Sequence, residues 1–236
     1  MITIHQICYN EIVILEFAFN FYKSRFPKAK FILHDNGSID GSVELAEKLG
    51  YEILPFDTSN QMDDNTLIQV KNNCWKNDTT DWVIVVDMDE LIDINEENLM
   101  KQQMIGATVI NTLGYNMVNT SDDFNLANIN SGFREDALYD KCLIFNKKFV
   151  EDMAWDVGCH HCNPKGSDIR FSNDRFVLLH YKYINEDYIV KRYKDIKIRL
   201  SDENIRKRWS YHYNIEENEL RSYFKECQKK QLTKLI

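Results

Sequence analysis

The chain has 236 residues, and its 37 Asp and Glu against 29 Lys and Arg give a formal net charge of −8 at pH 7. This acidity argues against general nucleic-acid binding, and no stretch approaches the ~20 apolar residues that span a bilayer. The length suits one large domain, or one domain with an appendage. The N-terminus lacks the basic start and apolar run of a signal peptide, so we expect a cytoplasmic protein whose cysteines are reduced.

Strand and helix patterns alternate through the first part of the chain. Strands are predicted at 2–8, 30–34, 51–55 and 83–86, and helices at 12–26, 43–49 and about 66–76. Asn10 is a plausible N-cap of the first helix, Pro27 ends that helix, and Gly50 closes the second. This alternation predicts a parallel sheet built from right-handed crossovers.

The second part of the chain is less regular. Further strands are predicted at 107–113, 140–145 and 176–183, whereas 114–131 is rich in Asn and Asp and is predicted as a loop. From Glu186 onward the pattern predicts helices in which basic and aromatic residues mix. This tail could lie as a peripheral contact on an anionic membrane surface. Acidic residues interrupt the positive run, which favours helices that pack on the core.

The most informative stretch is the apolar run 83–86, which ends in the acids Asp87, Asp89 and Glu90. Such a run suits a central strand that is covered on both faces. Asp87 and Asp89 are two residues apart, so on an extended backbone they share a side and could reach one Mg²⁺ or Mn²⁺. The alternative is a strand that runs into an acidic surface turn.

A second motif follows the predicted strand 30–34, where residues 35–42 read DNGSIDGS. Asp35 stands at the strand's carboxyl end and could accept hydrogen bonds from a nucleoside, and Asp40 or Ser42 could cap the next helix. A well-capped turn is the alternative. Both acidic strand ends fall at one edge of the sheet, where open α/β sheets bind their ligands.

Three motifs in this order resemble the family 2 glycosyltransferases with the GT-A fold. They are YNE at 9–11, DNGSIDGS at 35–42 and VVDMDE at 85–90, the last in the Asp-x-Asp-Glu form of one subgroup. The resemblance covers residues 1–93 well. It is weaker to residue 183, through GCH at 158–160 and LHY at 179–181.

The resemblance implies a fold, a domain division and an activity. The fold would be α/β, with a GT-A-like mixed, mainly parallel sheet flanked by helices and a Rossmann-like nucleotide-binding half. The transferase domain would cover 1–183, and a helical C-terminal extension, 184–236, would pack on it. The enzyme would use Mn²⁺ or Mg²⁺ to move a sugar from a nucleotide diphosphate, most commonly UDP in this fold, to an acceptor hydroxyl, with inversion. The acceptor would be a glycan, a lipid-linked molecule or a protein.

The resemblance also implies site residues. The nucleotide would contact Tyr9, Asp35, Asn36, Lys71, Asp87 and Met88, and the metal would be held by Asp87, Asp89 and His180. His180 follows an apolar strand, and neutral imidazole is a good ligand for Mn²⁺. The alternative for His180 is a hydrogen-bonded histidine at a strand end.

The catalytic base has no single matching motif in this chain. Asp156 is the first candidate for it, and Glu151-Asp152 and Glu135-Asp136 are the alternatives. His160 is a candidate for a catalytic, phosphate or metal role, or else belongs to a polar surface loop. Trp155 could stack on an acceptor sugar.

Three other interpretations stay open. A haloacid-dehalogenase-type phosphohydrolase also places Asp-x-Asp after an apolar strand and uses the first Asp as nucleophile, but Leu91 stands where Thr or Val is usual. A sugar-nucleotide or glycan-binding module without turnover is the non-enzymatic alternative. Residues 159–162, CHHC, look like half of a zinc site.

Overall fold

The computed structural model describes residues 1–236. Its strands are β1 (Ile2–Cys8), β2 (Lys30–Asp35), β3 (Glu52–Pro55), β4 (Trp82–Asp87), β5 (Glu90–Ile92), β6 (Val109–Val118), β7 (Ser131–Phe133), β8 (Ile144–Asn146), β9 (Val150–Asp152), β10 (Lys165–Gly166), β11 (Phe171–Tyr183) and β12 (Thr233–Lys234). Its helices are α1 (Ile12–Arg25), α2 (Ser42–Leu49), α3 (Asp64–Asn73), α4 (Glu96–Met104), α5 (Glu186–Arg199), α6 (Asp202–Lys207) and α7 (Glu217–Gln228). None of these helices is both long and apolar enough to cross a membrane.

The first half of the chain forms four parallel strands in the order β3-β2-β1-β4. Ile4 of β1 lies in register between Phe31 of β2 and Ile84 of β4, and all three are buried. Residues 83–86 are fully buried, as expected of a central strand covered on both faces. The parallel pairing predicted from the sequence is confirmed, and the carboxyl ends of β1 and β4 lie side by side.

The second half extends this sheet with strands of both directions. Antiparallel β8 joins β4 to β6, β11 runs parallel to β6, and the short strand β5 returns antiparallel to β11. The result is a mixed sheet of 10 strands, whose longest pairings are parallel, with helices packed on it. The predicted fold class is therefore confirmed.

Two local predictions were wrong. The stretch 114–131 does not begin as a loop, because β6 continues through Gly114 to Val118. A Cβ on Gly114 would collide with the carbonyl of Tyr139, so this glycine marks a close backbone approach inside a strand. Asn10 does not cap α1: it has φ 56°, and its side chain accepts a hydrogen bond from the Ile39 N–H.

The N-terminus of α1 is instead capped by the loop that follows β2. Ser42 Oγ accepts from the Glu11 N–H at 2.9 Å, and Asp40 Oδ2 accepts from the Ile12 N–H at 3.0 Å. The DNGSIDGS loop thus fixes the neighbouring loop after β1. The motif therefore holds the chain segments that follow β1 and β2 together through hydrogen bonds.

The C-terminal helices pack on the sheet through a separate apolar cluster. This cluster joins buried residues of β6, β7, β11, α5 and α7: Val118, Phe133, Tyr183, Ile189, Val190, Tyr193, Leu220, Phe224 and Cys227. While α5 is held from this side, its polar side chains Tyr188, Arg192 and Arg199 lie at the carboxyl edge of the parallel strands.

A buried tyrosine ties α1 to the start of β5. The Tyr22 hydroxyl donates to the carbonyl of Glu90 at 3.0 Å and accepts from the Ile92 N–H at 3.1 Å. Tyr22 is fully buried. One hydroxyl therefore satisfies two backbone groups next to the acidic turn that follows β4.

We expect Tyr22→Phe to lower the free energy of unfolding by about 2–3 kcal/mol, because it leaves a buried donor and a buried acceptor without partners. Tyr181→Phe is the matched control, since the buried Tyr181 hydroxyl makes one bond, to the Ile129 carbonyl at 3.2 Å. The Tyr181→Phe substitution should lower the free energy of unfolding by only about 1 kcal/mol. Urea unfolding of both variants measures the difference, and equal losses would contradict the double role of Tyr22.

Candidate active site

A cavity of about 490 Å³ opens at the carboxyl edge of the parallel strands. The ends of β1 and β4 form its floor, and α3, the turn at 157–160, α5 and the segment 208–213 form its walls. Open α/β sheets bind ligands at this edge. The cavity brings residues of the first strand together with residues of the last third of the chain.

The turn after β4 delivers carboxylates to the cavity floor. Asp87 ends β4, Asp89 and Glu90 are buried, and Glu90 Oε2 accepts from the Asp87 N–H at 3.2 Å. Met88 is also buried and receives a hydrogen bond on its sulfur from the Gln6 amide. The Met88 side chain therefore packs inward, while Asp87 and Asp89 remain beside the cavity.

Each of these carboxylates has a cationic partner from another element. Lys71 Nζ of α3 lies 2.7 Å from Asp87, and Lys141 Nζ lies 2.5 Å from Glu90. Arg192 of α5 lies 3.2 Å from Asp89. The side chains of Asp89 and Glu90, 7% and 2% exposed, would be costly as isolated charges, so their ion pairs hold the turn in its present form.

The charge state of the acids follows from these pairs. Burial opposes ionisation of Asp87, but Lys71 and Lys141 outweigh it and lower the pKa of Asp87. Burial likewise opposes ionisation of Asp89, and Arg192 and His180 lower the pKa of Asp89 below its usual range. Lys71 is raised in pKa by Asp87 in spite of its own burial. Both aspartates are therefore carboxylates at neutral pH.

Arg192 also joins the floor to the loop after β1. Its guanidinium lies 2.5 Å from Glu11 Oε1 and donates to the Tyr188 hydroxyl at 2.9 Å, and that hydroxyl donates to Glu11 at 3.1 Å. Burial raises the pKa of Glu11 to about 7, although Arg192 opposes this. Arg192 is shared between two carboxylates from distant parts of the sequence.

His180 faces Asp89 with a defined ring orientation. The Asn116 amide donates to Glu135 at 3.0 Å, and its oxygen lies 3.0 Å from His180 Nδ1. Because a carboxylate only accepts, the amide must present its oxygen to His180, which places the ring proton on Nδ1. In the neutral ring Nε2 then carries a lone pair, 3.4 Å from Asp89 Oδ2. These two acceptor atoms are close enough to share one cation.

The wall near the β1 and β2 ends is aromatic and polar. The Arg199 guanidinium lies over the Tyr9 ring at 3.2 Å from its centroid, and the Tyr9 hydroxyl donates to Asn60 at 3.2 Å. Asn36 is buried, lines the cavity and accepts from the Thr58 hydroxyl at 3.0 Å. A planar group could stack or hydrogen-bond here.

The opposite wall is formed by histidines and tyrosines. His160 Nδ1 lies 2.8 Å from the Leu138 carbonyl, and its ring meets Tyr139 edge to face at 5.9 Å. Burial lowers the pKa of His160. His212 and Tyr213 line the same cavity with ring centroids 4.1 Å apart. This wall is suited to the faces of sugar rings.

Of the residues predicted from the sequence, Tyr9, Asn36, Lys71, Asp87, Met88, Asp89, His160 and His180 line one cavity. Asp35 does not: its carboxylate accepts from the Gly37 and Ser38 N–H groups at 3.0 and 3.1 Å and shapes the loop. Asp156 is exposed outside the cavity, where it accepts from the His161 N–H at 2.9 Å. The prediction of Asp156 as base stays untested, and its position gives it no contact with the cavity.

Two further expectations about the segment 151–162 do not fit its structure. Trp155 is buried in the core against Phe145 at 5.6 Å, and its Nε1 donates to the Cys142 carbonyl, so it cannot stack on an acceptor. His161 is exposed while Cys159 is buried, and the side chains of 159–162 do not converge on a metal position. Both features depend on packing that local composition does not reveal.

Several residues that line the cavity were not predicted from the sequence. Glu11, Lys141, Tyr188, Arg192 and Arg199 lie on three separate segments, because the last three all belong to α5. A signal existed for α5, because Tyr188 and Arg192 are four residues apart and share a helix face. The sequence around Lys141 gave no such signal. Lys141 reaches Glu90 because the strand that follows it, β8, pairs antiparallel with β4.

No protein-family model matches the chain, and no curated protein matches it. Solved structures of similar shape include S. aureus TarS, with a TM-score of 0.47 and 13% identity over 84% of this chain. Residues 1–349 of TarS in complex with UDP have a TM-score of 0.48 and 14% identity over 84% of this chain. Mannosyltransferase PcManGT from Pyrobaculum calidifontis, in complex with GDP-Man and Mn²⁺, has a TM-score of 0.46 and 13% identity over 83% of this chain. The chain spans 39%, 64% and 61% of these chains, respectively.

The Lys141–Glu90 pair makes a direct prediction for stability. Lys141→Met should cost about 3–5 kcal/mol, because it leaves the Glu90 carboxylate buried without a partner. The double variant Lys141→Met/Glu90→Gln should cost clearly less than the sum of the single ones. Urea unfolding of the four proteins gives the coupling free energy.

The matched control is Lys30–Glu52, an ion pair of 2.7 Å in which both side chains are 48% exposed. Its coupling free energy should stay below about 1 kcal/mol because water screens it. Similar coupling for the two pairs would show that burial of Lys141 and Glu90 does not have the effect assigned to it.

Proposed function

We propose that the protein is a metal-dependent glycosyltransferase that moves a sugar from a nucleotide diphosphate, with UDP as the first candidate carrier, to an acceptor hydroxyl. Residues 1–183 would form the GT-A-like transferase domain and 184–236 a helical extension that completes its site. One observation carries this proposal. Asp89 and His180 face each other inside a cavity at the carboxyl edge of the sheet, and Lys71, Lys141 and Arg192 surround them.

The donor set of this floor fits a divalent cation. Asp89 Oδ2 and His180 Nε2 lie 3.4 Å apart, and the Glu135–Asn116 chain fixes the tautomer in which Nε2 carries the lone pair. A carboxylate with an imidazole suits Mn²⁺ better than Mg²⁺. When bound, such an ion would neutralise the charge that builds on a diphosphate leaving group. Asp87 is the proposed third ligand, but Lys71 engages it here, and the ligand atoms of Asp87, Asp89 and His180 do not all lie within 4.8 Å of one another, so Asp87 would have to move to bind the same ion.

The charges of the floor also support a requirement for a cation. The three cations nearest the floor are already engaged: Lys71 pairs with Asp87, Lys141 pairs with Glu90, and Arg192 is shared between Glu11 and Asp89. A nucleoside diphosphate would bring further negative charge into this buried place. An additional divalent cation would restore the balance, whereas binding without it would be opposed by repulsion.

The remaining walls suggest how the two substrates lie. Tyr9 and Asn36 would contact the base and ribose, since a ring face and a buried amide stand there. His160 and Tyr139 would contact the transferred sugar or the acceptor. Inversion at the sugar is proposed from the family resemblance alone. Asp156 remains the first candidate for the base that takes the acceptor proton, although it does not line the cavity.

The acceptor is proposed as a glycan, a lipid-linked molecule or a protein. Ile198 and Ile205 are 82% and 60% exposed on the C-terminal helices. Exposed apolar side chains next to Arg206 and Lys207 are compatible with peripheral membrane contact. Arg192 and Arg199, in contrast, line the cavity, so only part of the basic tail is free for such a contact.

Asp89→Asn should abolish metal-dependent nucleotide binding. A ligand that binds only the folded state raises the melting temperature, so we expect one of UDP, GDP, CMP and TDP to raise it with Mn²⁺ and not without. In Asp89→Asn that shift should vanish, and hydrolysis of the corresponding nucleotide sugar should fall roughly 10²–10³-fold.

Asp93→Asn is the matched control, since Asp93 follows β5 and is paired with Arg25 outside the cavity. Asp93→Asn should keep the Mn²⁺-dependent rise in melting temperature on nucleotide binding. If Asp89→Asn also keeps this rise, the proposed metal site is wrong. If no nucleotide shifts the wild-type protein but an aryl phosphate is hydrolysed with Mg²⁺, the phosphohydrolase interpretation replaces this one.

Asn116 is proposed as a positioning residue that acts through His180. Asn116→Leu should weaken Mn²⁺ binding about 10–100-fold, because the ring loses the partner that fixes its tautomer. Electron paramagnetic resonance of free Mn²⁺ measures this affinity. Asn111→Leu, which removes another β6 asparagine bonded to the Ser172 carbonyl, should leave Mn²⁺ affinity unchanged. Equal effects of the two variants would show that Asn116 is merely structural.

A further inference from the structure

A second cluster of metal-ligating side chains lies outside the cavity. His5 of β1, His34 of β2 and Cys74 at the end of α3 bring one ligand atom each to within 4.8 Å of one another. None of the three lines the cavity described above. The cluster therefore needs an explanation of its own.

The hydrogen bonds of the cluster define its ring protons. His5 Nε2 lies 2.7 Å from Asp78 Oδ2, and His5 Nδ1 lies 2.9 Å from His34 Nε2. Because the carboxylate accepts, Nε2 of His5 carries the proton, and Nδ1 of the neutral ring is a bare acceptor. In the hydrogen bond between the two rings, His34 Nε2 is therefore the donor and carries the proton. The ring planes differ by 20° with centroids 5.2 Å apart, as for rings that meet edge to edge.

This arrangement resembles the surroundings of a bound metal. A histidine ligand commonly donates its other ring N–H to a carboxylate, which fixes the tautomer and raises the basicity of the ligating nitrogen. Asp78 has this relation to His5. His5 is fully buried and His34 is 5% exposed, so both rings are shielded from solvent.

We propose that His5 Nδ1, His34 Nε2 and Cys74 Sγ bind one Zn²⁺, with water in the fourth position and Asp78 orienting His5. Two imidazoles and one thiolate are a common ligand set for zinc. Zinc–nitrogen bonds of about 2.0–2.1 Å at a tetrahedral angle need ~3.3 Å between the nitrogens, so the rings must separate slightly. The His34 proton moves to its Nδ1, and the Cys74 thiol releases one proton.

The site would connect three elements beneath the cavity. β1 and β2 carry the loops with Tyr9 and Asn36 at their carboxyl ends, and α3 carries Lys71, three residues before Cys74. A zinc ion bound to all three would raise stability, since binding to the folded state alone is linked to folding. This inference does not depend on the proposed transferase activity.

The test uses Co²⁺ as a spectroscopic probe on the chelator-treated Asp89→Asn protein, in which the cavity metal site is disabled. We expect one equivalent of Co²⁺ to bind, with tetrahedral d–d bands and a thiolate charge-transfer band, and excess Zn²⁺ to displace it. Cys74→Ser should remove the charge-transfer band, and Asp78→Asn should weaken Co²⁺ binding about 10–100-fold. Cys162→Ser, which removes another half-buried thiol, should change neither.

A second readout needs no variant of the cluster. Zn²⁺ should slow the alkylation of Cys74 in the wild-type protein, measured by mass spectrometry, and should leave Cys162 unaffected. Failure of the Asp89→Asn protein to bind Co²⁺ would overturn the proposal, as would a charge-transfer band that survives Cys74→Ser. In either case the cluster would be a buried Asp–His–His hydrogen-bonded chain.

Discussion

The structure depends on the burial of negative charge at the carboxyl end of β4. A covered parallel strand ends in acids that lie beneath other elements, and an unpaired carboxylate there would cost several kcal/mol. Lys71 of α3, Lys141 before β8 and Arg192 of α5 supply the opposite charge. Each cation comes from a different part of the chain, so the acidic turn can form only when all of these parts are in place.

This constraint explains why the C-terminal helices belong to the site. Arg192 bridges Asp89 to Glu11, and Tyr188 completes that contact from one turn earlier in α5. The apolar cluster around Tyr183 and Phe224 holds α5 from its other side. The helical segment thus contributes charge to the floor and walls to the cavity, and it does more than cover the sheet.

The second half of the sheet, with strands of both directions, provides the part of the site that the first four parallel strands lack. β6 and β11 run side by side, with Asn116 in register with His180, so the amide reaches the ring. β11 pairs with β5 through His180 and Glu90, which brings the histidine next to the acidic turn. Register in these strands therefore determines the direction in which the imidazole lone pair points.

The sequence by itself determined the parallel half of the fold and the centre of the site. Apolar strands, helix ends and turn residues are local signals, and β4 places its acids at the ligand-binding edge by chain direction alone. His180 was also predicted, because the family resemblance implies a late histidine ligand and this histidine follows an apolar strand. These features depend on periodicity and chain order, which one sequence contains.

The tertiary structure alone decided which polar residues meet. Asp35 and Asp156 have suitable chemistry, but backbone N–H groups of Ser38 and His161 engage their carboxylates. Lys141 and Arg192 look like ordinary basic residues and acquire their roles from burial against acids far away in sequence. His5, His34 and Cys74 converge only when two strands and a helix pack. Ion pairing and ligand convergence are long-range, so local patterns do not encode them.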